Sequence, residues 1–304
     1  MPWKKDYTFS DETSPVGVTW PQGKAAVTLV IDYSVPAGPE GIDEAAIAYA
    51  ASIWGNAVQG DWLIDALDAC GPKATFAVPL VMARAFPGSV RRAFEHGHEI
   101  AAGSYAKEDV TRLSPAEEKE RMERTFSELA DLTGARPEGW YALPRTHDDW
   151  PGGSLSPATL DLLAGSGCGY FGNSMADDIP HYCVLDEEGP RTLLALPYYY
   201  AHDAQFFVFF PGIGRGSGLL RTRALWENWS AELEGAAAYG RQATLVMQPY
   251  LMQSGPARKV LADLAALLKE GLYWTATASG CAAYWRDAYP AERTLHLEKA
   301  VWPE

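Results

Sequence analysis

Residues 73–105 read KATFAVPLVMARAFPGSVRRAFEHGHEIAAGSY. KATFAVP is an apolar run too short for a buried helix and closed by a proline, which makes it a buried strand. GSVRRAFEHG is a short helix ended by glycine. HEIAAGSY is a second apolar run that breaks into a polar loop. A strand, a short helix and another strand with few linking residues form a βαβ unit, whose strands lie parallel.

The same rhythm extends in both directions. AAVTLVID at 25–32 is a continuous apolar run ending in an acid, read as a first buried strand. A loop with Pro36, Gly38, Pro39 and Gly41 follows it, and then WLIDALDAC, where Leu63, Leu67 and Cys70 recur at helical spacing before Gly71-Pro72 stops them. Ser114-Pro115-Ala116-Glu117 is a capping box opening a helix to about Leu132, and GWYAL is the next strand. A helix from Ser156 to near Gly165 feeds the strand CGYFGN, and segments 182–186 and 191–200 suit a hairpin leading on to FFVFF at 206–210. Helix 222–238, strand ATLVMQP, helix 256–269 and strand LYWTATAS complete the pattern. It predicts a parallel sheet covered by helices, and, with no Gly-x-Gly-x-x-Gly after the first strand, a barrel rather than a doubly wound nucleotide binder. One domain spans 25–304, after an irregular extension at 1–24.

Composition narrows the function. The 304 residues are 47% apolar and include 11 Trp, 15 Tyr and 10 Phe, enough for a large core. A formal net charge of −14 argues against nucleic acid or an anionic membrane as partner. Neither a signal peptide nor an apolar span of membrane length is seen, so the expected setting is the cytoplasm. Four cysteines without metal-like spacing predict neither a disulfide scaffold nor a zinc site. Cys168 falls where a helix enters a strand, the wrong end of a barrel for a nucleophile. PGIGRGSG at 211–218 lacks the Gly-Lys-Ser/Thr of a phosphate loop and reads as a flexible or subunit-contacting loop.

Chemistry in such a barrel gathers at the C-terminal ends of the strands. Those ends offer Asp32 and Tyr33; Tyr105 and Lys107; Arg145 and His147; Tyr199, His202 and Asp203; and Gln248. Asp32 ends a buried run, so its carboxylate needs a partner, a role as general base, or a place in a salt bridge. Lys107 can pair with Asp32 or stabilise an oxyanion. His147 and His202 each precede an acid and suit proton transfer near neutral pH. Arg145 can hold a carboxylate or imide oxygen in bidentate fashion. Tyr33, Tyr105, Tyr199, Asp203 and Gln248 complete the expected substrate-binding set.

The blocks AAVTLVID, GPKATFAVP, FPGSVRRAFEHGHEIAAGSY, LTGARPEGWYAL, ALPYYYAHDA and VMQPYLMQSGP together resemble the polysaccharide deacetylase superfamily. The nearer resemblance is to its cytoplasmic branch, with metal-independent allantoinase and peptidoglycan-deacetylase-like proteins. The resemblance implies an α/β fold, a distorted (β/α) barrel of about seven parallel strands of the NodB-homology type, and Asp32 matches the base position. Tyr33 stands where metal-using members carry an acid ligand, Gly103 and Lys107 stand where they carry histidines, and Gln248-Pro249 replaces a His-Pro pair. It therefore implies no metal and no cofactor, and a homodimer or homotetramer as the assembly. One reading is a metal-independent hydrolase of a C–N bond in a small amide, imide or cyclic ureide. The same acid and base groups would serve an isomerase, a lyase or a C–C bond hydrolase on a keto compound. The other reading is a catalytically silent protein that binds a small molecule or organises an assembly.

Overall fold

The computed structural model describes residues 7–9, 18–145, 148, 152–185, 191–208, 222–294 and 297–299. Strand β1 (Tyr7–Phe9) pairs antiparallel with the last strand, β11 (Leu297–Lys299), apart from the main sheet. The extension expected to be irregular thus carries one short strand. The barrel begins with β2 (Ala25–Asp32), whose eight residues are all buried.

Next come α1 (Glu44–Trp54), α2 (Asp61–Cys70), β3 (Thr75–Val78), α3 (Leu80–Ala85), α4 (Pro87–Glu95) and β4 (Glu99–Ala102). Helix α1 lies in what the sequence reading left as loop; Asp43 caps it by accepting from Ala46 N. The capping box at Ser114 opens α5 (Pro115–Thr133) as expected, and Gly134, in the left-handed region, closes it. The chain continues through β5 (Gly139–Trp140), α6 (Thr159–Gly165), β6 (Tyr170–Ser174), β7 (His181–Val184), β8 (Thr192–Pro197) and α7 (Gln205–Val208). Then follow α8 (Thr222–Tyr239), β9 (Gln242–Met247), α9 (Gly255–Leu268), β10 (Tyr273–Thr275) and α10 (Ala278–Ala288).

Among the described residues the main sheet has nine strands, in the order β10-β2-β3-β4-β5-β6-β8-β7 with β9 pairing on β2. All its neighbours are parallel except the β7–β8 hairpin. This corrects the expected count of about seven parallel strands: each strand of the sheet falls on a segment already read as one, but they number nine and the β7–β8 hairpin makes the sheet mixed. Between β8 and β9 the ladder is replaced by a single parallel bridge, Asp203 to Val246, so the barrel is not fully closed.

Two packing layers follow from the two-residue period of a strand. On β2, Val27, Leu29 and Ile31 join the layer between sheet and helices, while Ala26 and Val30 face the barrel interior. The interior also takes polar side chains, several of them partnered as burial favours, although the Thr244 hydroxyl has no partner among the described residues. Gln242 Nε2 donates to Thr28 Oγ1 at 3.1 Å, and Glu99 accepts from Thr75 Oγ1 and Tyr170 OH, both at 2.8 Å. The first turn of α10 seals that end, with Ser279 N donating to Glu99 at 2.8 Å. Among the described residues no helix is long and apolar enough to cross a membrane.

Candidate active site

The alternation on β2 continues past its end. Asp32, in phase with Ala26 and Val30, points into the barrel mouth, and its residue is only 2% exposed. Tyr33, one step on, joins the outer layer, where its ring meets Phe76 and its hydroxyl donates to Gln59 O at 2.7 Å. Burial pushes its phenol well above the usual range. The expectation that Tyr33 touches substrate is thereby corrected: adjacent strand residues face opposite ways.

Lys107 reaches Asp32 from the loop after β4. Its Nζ lies 2.5 Å from Asp32 Oδ2 and 2.9 Å from Ser34 Oγ. Both Ser104 (φ 73°) and Lys107 (φ 56°) hold the left-handed backbone region, which non-glycine residues seldom occupy. Ser104 Oγ ties this turn by accepting from Lys107 N at 2.6 Å. The strain is held in place by the neighbouring Glu108, whose carboxylate takes Ala106 N at 2.7 Å and pairs with Arg121 at 3.1 Å.

Gln248, in phase with Gln242 and Val246 on β9, completes the floor. Its Nε2 is 3.3 Å from Asp32 Oδ2 and 3.1 Å from Asp203 Oδ1, and its Oε1 has no partner. Asp203 has no exposed surface. It accepts from Gln205 Nε2 at 2.7 Å, Gln205 N at 3.0 Å and Tyr198 OH at 3.2 Å. Burial raises its carboxyl to about 6, against those hydrogen bonds. The expected substrate contact at Asp203 is corrected: it anchors Gln248 and the β8–β9 bridge from behind.

A cavity opens beside this group, lined by Asp32, Lys107, Glu108, Glu118, Arg145 and Asp148 among others. It encloses about 480 Å³ of empty space, counting the part open to solvent, but is narrow, with room for about one or two waters. Arg145 enters it from the segment after β5. Its Nε and Nη2 both bond Asp148, at 2.7 and 2.5 Å, and Nη2 lies 3.6 Å from Asp109. Glu118, in the first turns of α5, is buried and accepts from Ser156 and Thr159 hydroxyls at 2.5 Å each. The sequence reading missed Ser34 and Glu118. Ser34 follows Asp32 by one strand period, a legible signal; Glu118 sits beside the capping-box Glu117 and carries none.

The remaining expected residues lie elsewhere. His147 is outside the described residues. His202 sits in a separate hollow with Tyr199 and Glu232, its Nε2 3.3 Å from Glu232 Oε2. Burial lowers its pKa despite that acid. Tyr199 is 42% exposed and packs on Tyr200 and His202. Tyr105 turns to the surface, where Arg84, Arg121 and Arg124 stack about its ring at 5.5 to 5.8 Å. The placement of His202, Tyr199 and Tyr105 in one pocket with Asp32 is therefore corrected; loop turns, not strand phase, aim these side chains. Cys168 is buried and its thiol is pushed up to about 12 by that burial, which suits a core residue. In FFVFF, Phe206 is exposed and Val208 buried on α7, while Phe209 and Phe210 lie outside the described residues.

The residues present do not fit a divalent ion. Among the described residues no three His, Cys, Asp or Glu side chains converge as a ligand set. The Lys107 ammonium stands against the Asp32 carboxylate and would repel a cation there. A β-carbon on Gly103 would lie 2.9 Å from the Ala77 carbonyl carbon and the Val78 nitrogen, so no ligating side chain can be placed there without moving β3.

Residues 61–163 match the family Polysaccharide deacetylase. Peptidoglycan deacetylase-like protein FGM2 of Gibberella zeae is 26% identical, over 71% of this chain and 70% of that protein. A crystal structure from Mycobacterium smegmatis, named as a polysaccharide deacetylase, superposes with a TM-score of 0.77 at 26% identity, covering 95% of this chain and 98% of the other. PuuE allantoinase superposes with a TM-score of 0.71 at 18% identity, covering 93% and 99%, a likeness of fold.

Proposed function

We propose that this chain, whose residues 61–163 match the family Polysaccharide deacetylase, is a member of that superfamily and hydrolyses a C–N bond in a small polar carbonyl compound without a metal ion. The observation that carries this reading is the buried contact of Lys107 Nζ with Asp32 Oδ2, at 2.5 Å in a cavity at the barrel mouth. Both catalytic charges that a hydrolase needs are then supplied by side chains.

Asp32 takes a proton from a water in the cavity, and the water oxygen bonds to the carbonyl carbon. The displaced electron pair settles on the carbonyl oxygen, where the Lys107 ammonium donates a hydrogen bond, in place of a Lewis acid. Collapse of the adduct breaks the C–N bond, and the proton on Asp32 passes to the departing nitrogen. Gln248 holds Asp32 in place and Asp203 holds Gln248. The narrow cavity has room for about one or two waters, so the attacking water sits inside it and the amide, imide or cyclic ureide reaches Asp32 from its open side. The cytoplasm and a homo-oligomeric assembly belong to the same reading.

The test is turnover of cyclic imides, cyclic ureides and activated ketones in the presence of a strong chelator. Asp32→Asn should lower turnover about a hundredfold or more while fold and ligand binding persist. Activity that the chelator removes, or that stays near the wild-type level in Asp32→Asn, refutes the reading. Turnover of the ketones alone favours the C–C bond hydrolase, and no turnover of anything favours a silent binding protein.

A further inference from the structure

Asp32 is held by one oxygen. Among the described residues its donors are Lys107 Nζ at 2.5 Å and Gln248 Nε2 at 3.3 Å, and both fall on Oδ2. No donor from the described residues falls on Oδ1. A lysine ammonium carries three N–H donors and a carboxylate two acceptor oxygens, so such a pair is free to bridge both oxygens. Here it does not.

Ser34 supplies the reason. It follows Asp32 by one strand period and lies on the same face of the chain. Tyr33 N donates to Ala77 O at 3.0 Å, which carries the β2–β3 ladder past Asp32 and fixes the chain between the two residues. Ser34 is only 2% exposed, and its Oγ accepts a second Lys107 N–H at 2.9 Å. Lys107 arrives from the strained turn that Ser104 and Glu108 hold. With that turn at one end and two N–H groups taken by neighbouring acceptors on a strand, the ammonium does not swing across to Oδ1. The cavity that Asp32 lines has room for about one or two waters, and a water is the partner that a free carboxylate oxygen takes there.

We propose that Ser34 is a positioning residue that keeps Lys107 on Asp32 Oδ2 and so leaves Oδ1 as the atom that takes the proton of the cavity water. The water O–H bond breaks, its proton goes to Oδ1, and the freed electron pair forms the bond to the carbonyl carbon. This role rests on the hydrolase reading, while the hold on Lys107 is measured without turnover.

Wild type, Ser34→Ala and Ser34→Thr are compared with succinimide and hydantoin as substrates. Ser34→Ala lets the ammonium bridge both oxygens and should lower kcat about tenfold, with KM changed by less than about twofold. Ser34→Thr keeps the hydroxyl and should recover kcat to within about threefold of wild type. The hold itself is read by NMR of protein carrying nitrogen-15-labelled lysine, in which Lys107→Arg identifies the Lys107 ammonium signal. That signal should exchange with water about tenfold faster in Ser34→Ala than in wild type. If Ser34→Ala does not fold by circular dichroism, Ser34→Cys, a side chain of similar size with a poor acceptor, takes its place with the same expectations. An unchanged exchange rate or kcat in the folded variant, a loss confined to KM, or a folded Ser34→Thr no better than Ser34→Ala overturns the proposal. Faster exchange in Ser34→Ala with no turnover of either substrate by wild type would keep the hold on Lys107 and remove the hydrolase reading. Turnover by wild type, with exchange and kcat unchanged in Ser34→Ala, would do the reverse.

Discussion

Gly103 lies against Ala77 so closely that a β-carbon on it would stand 2.9 Å from the Ala77 carbonyl carbon. Strands β3 and β4 are paired through Ala77 and Ala101 just below this point, so the contact is backbone against backbone and has little freedom to relax. Gly103→Ala should therefore cost about 1–3 kcal/mol, read as a lower urea midpoint at unchanged slope. The double change Gly103→His with Lys107→His should bind zinc no better than wild type in equilibrium dialysis. A wild-type midpoint in Gly103→Ala would show that β3 yields freely.

Lys107 and Asp32 are both almost fully buried, so removing one charge strands the other. Lys107→Met should destabilise by about 3–5 kcal/mol, and adding Asp32→Asn should recover much of the loss. The difference between single and double variants in a denaturation cycle is the measurement. Equal losses in both would mean that the pair contributes nothing beyond its separate side chains.

Asp203 makes stability depend on pH. Its carboxyl is raised by burial from 3.8 to about 6, so between these values the folded chain holds a proton that the unfolded chain has released. Its contribution is therefore greatest at low pH and falls as pH rises from about 4 to 6, by about 3 kcal/mol in all. The stability difference between wild type and Asp203→Asn should slope across that window and flatten on either side. A difference that is constant with pH contradicts the raised value.

His202 stands apart from the cavity, with Glu232 as its partner. His202→Gln should change turnover by only about two- or threefold, whereas Asp32→Asn should lower it about a hundredfold or more. Comparable losses in kcat from the two would bring His202 into the chemistry and require a rearranged β8–β9 loop.

The order of elements, the capping box at Ser114 and the place of Asp32 at the mouth were all legible in the chain itself. Apolar runs of strand length, alternating with helical spacing and punctuated by glycine and proline, are local signals, and a strand-end acid needs no distant information to be noticed. Helix α1 escaped because EAAIAYAASIW has an almost uniformly apolar and small pattern, with only Ala50 fully buried. The two-residue period would have separated Asp32 from Tyr33, had the strand been followed one residue further. What the tertiary structure alone decided was convergence. Lys107 meets Asp32, 75 positions away, only because β2 and β4 flank β3 and a strained turn bends the lysine inward. Asp203 and Gln248 meet by closing the barrel seam, and Arg145 loses its carboxylate-gripping edge to Asp148. Distances and directions between such residues depend on how strands far apart in sequence pack side by side, and no local pattern of residues encodes them.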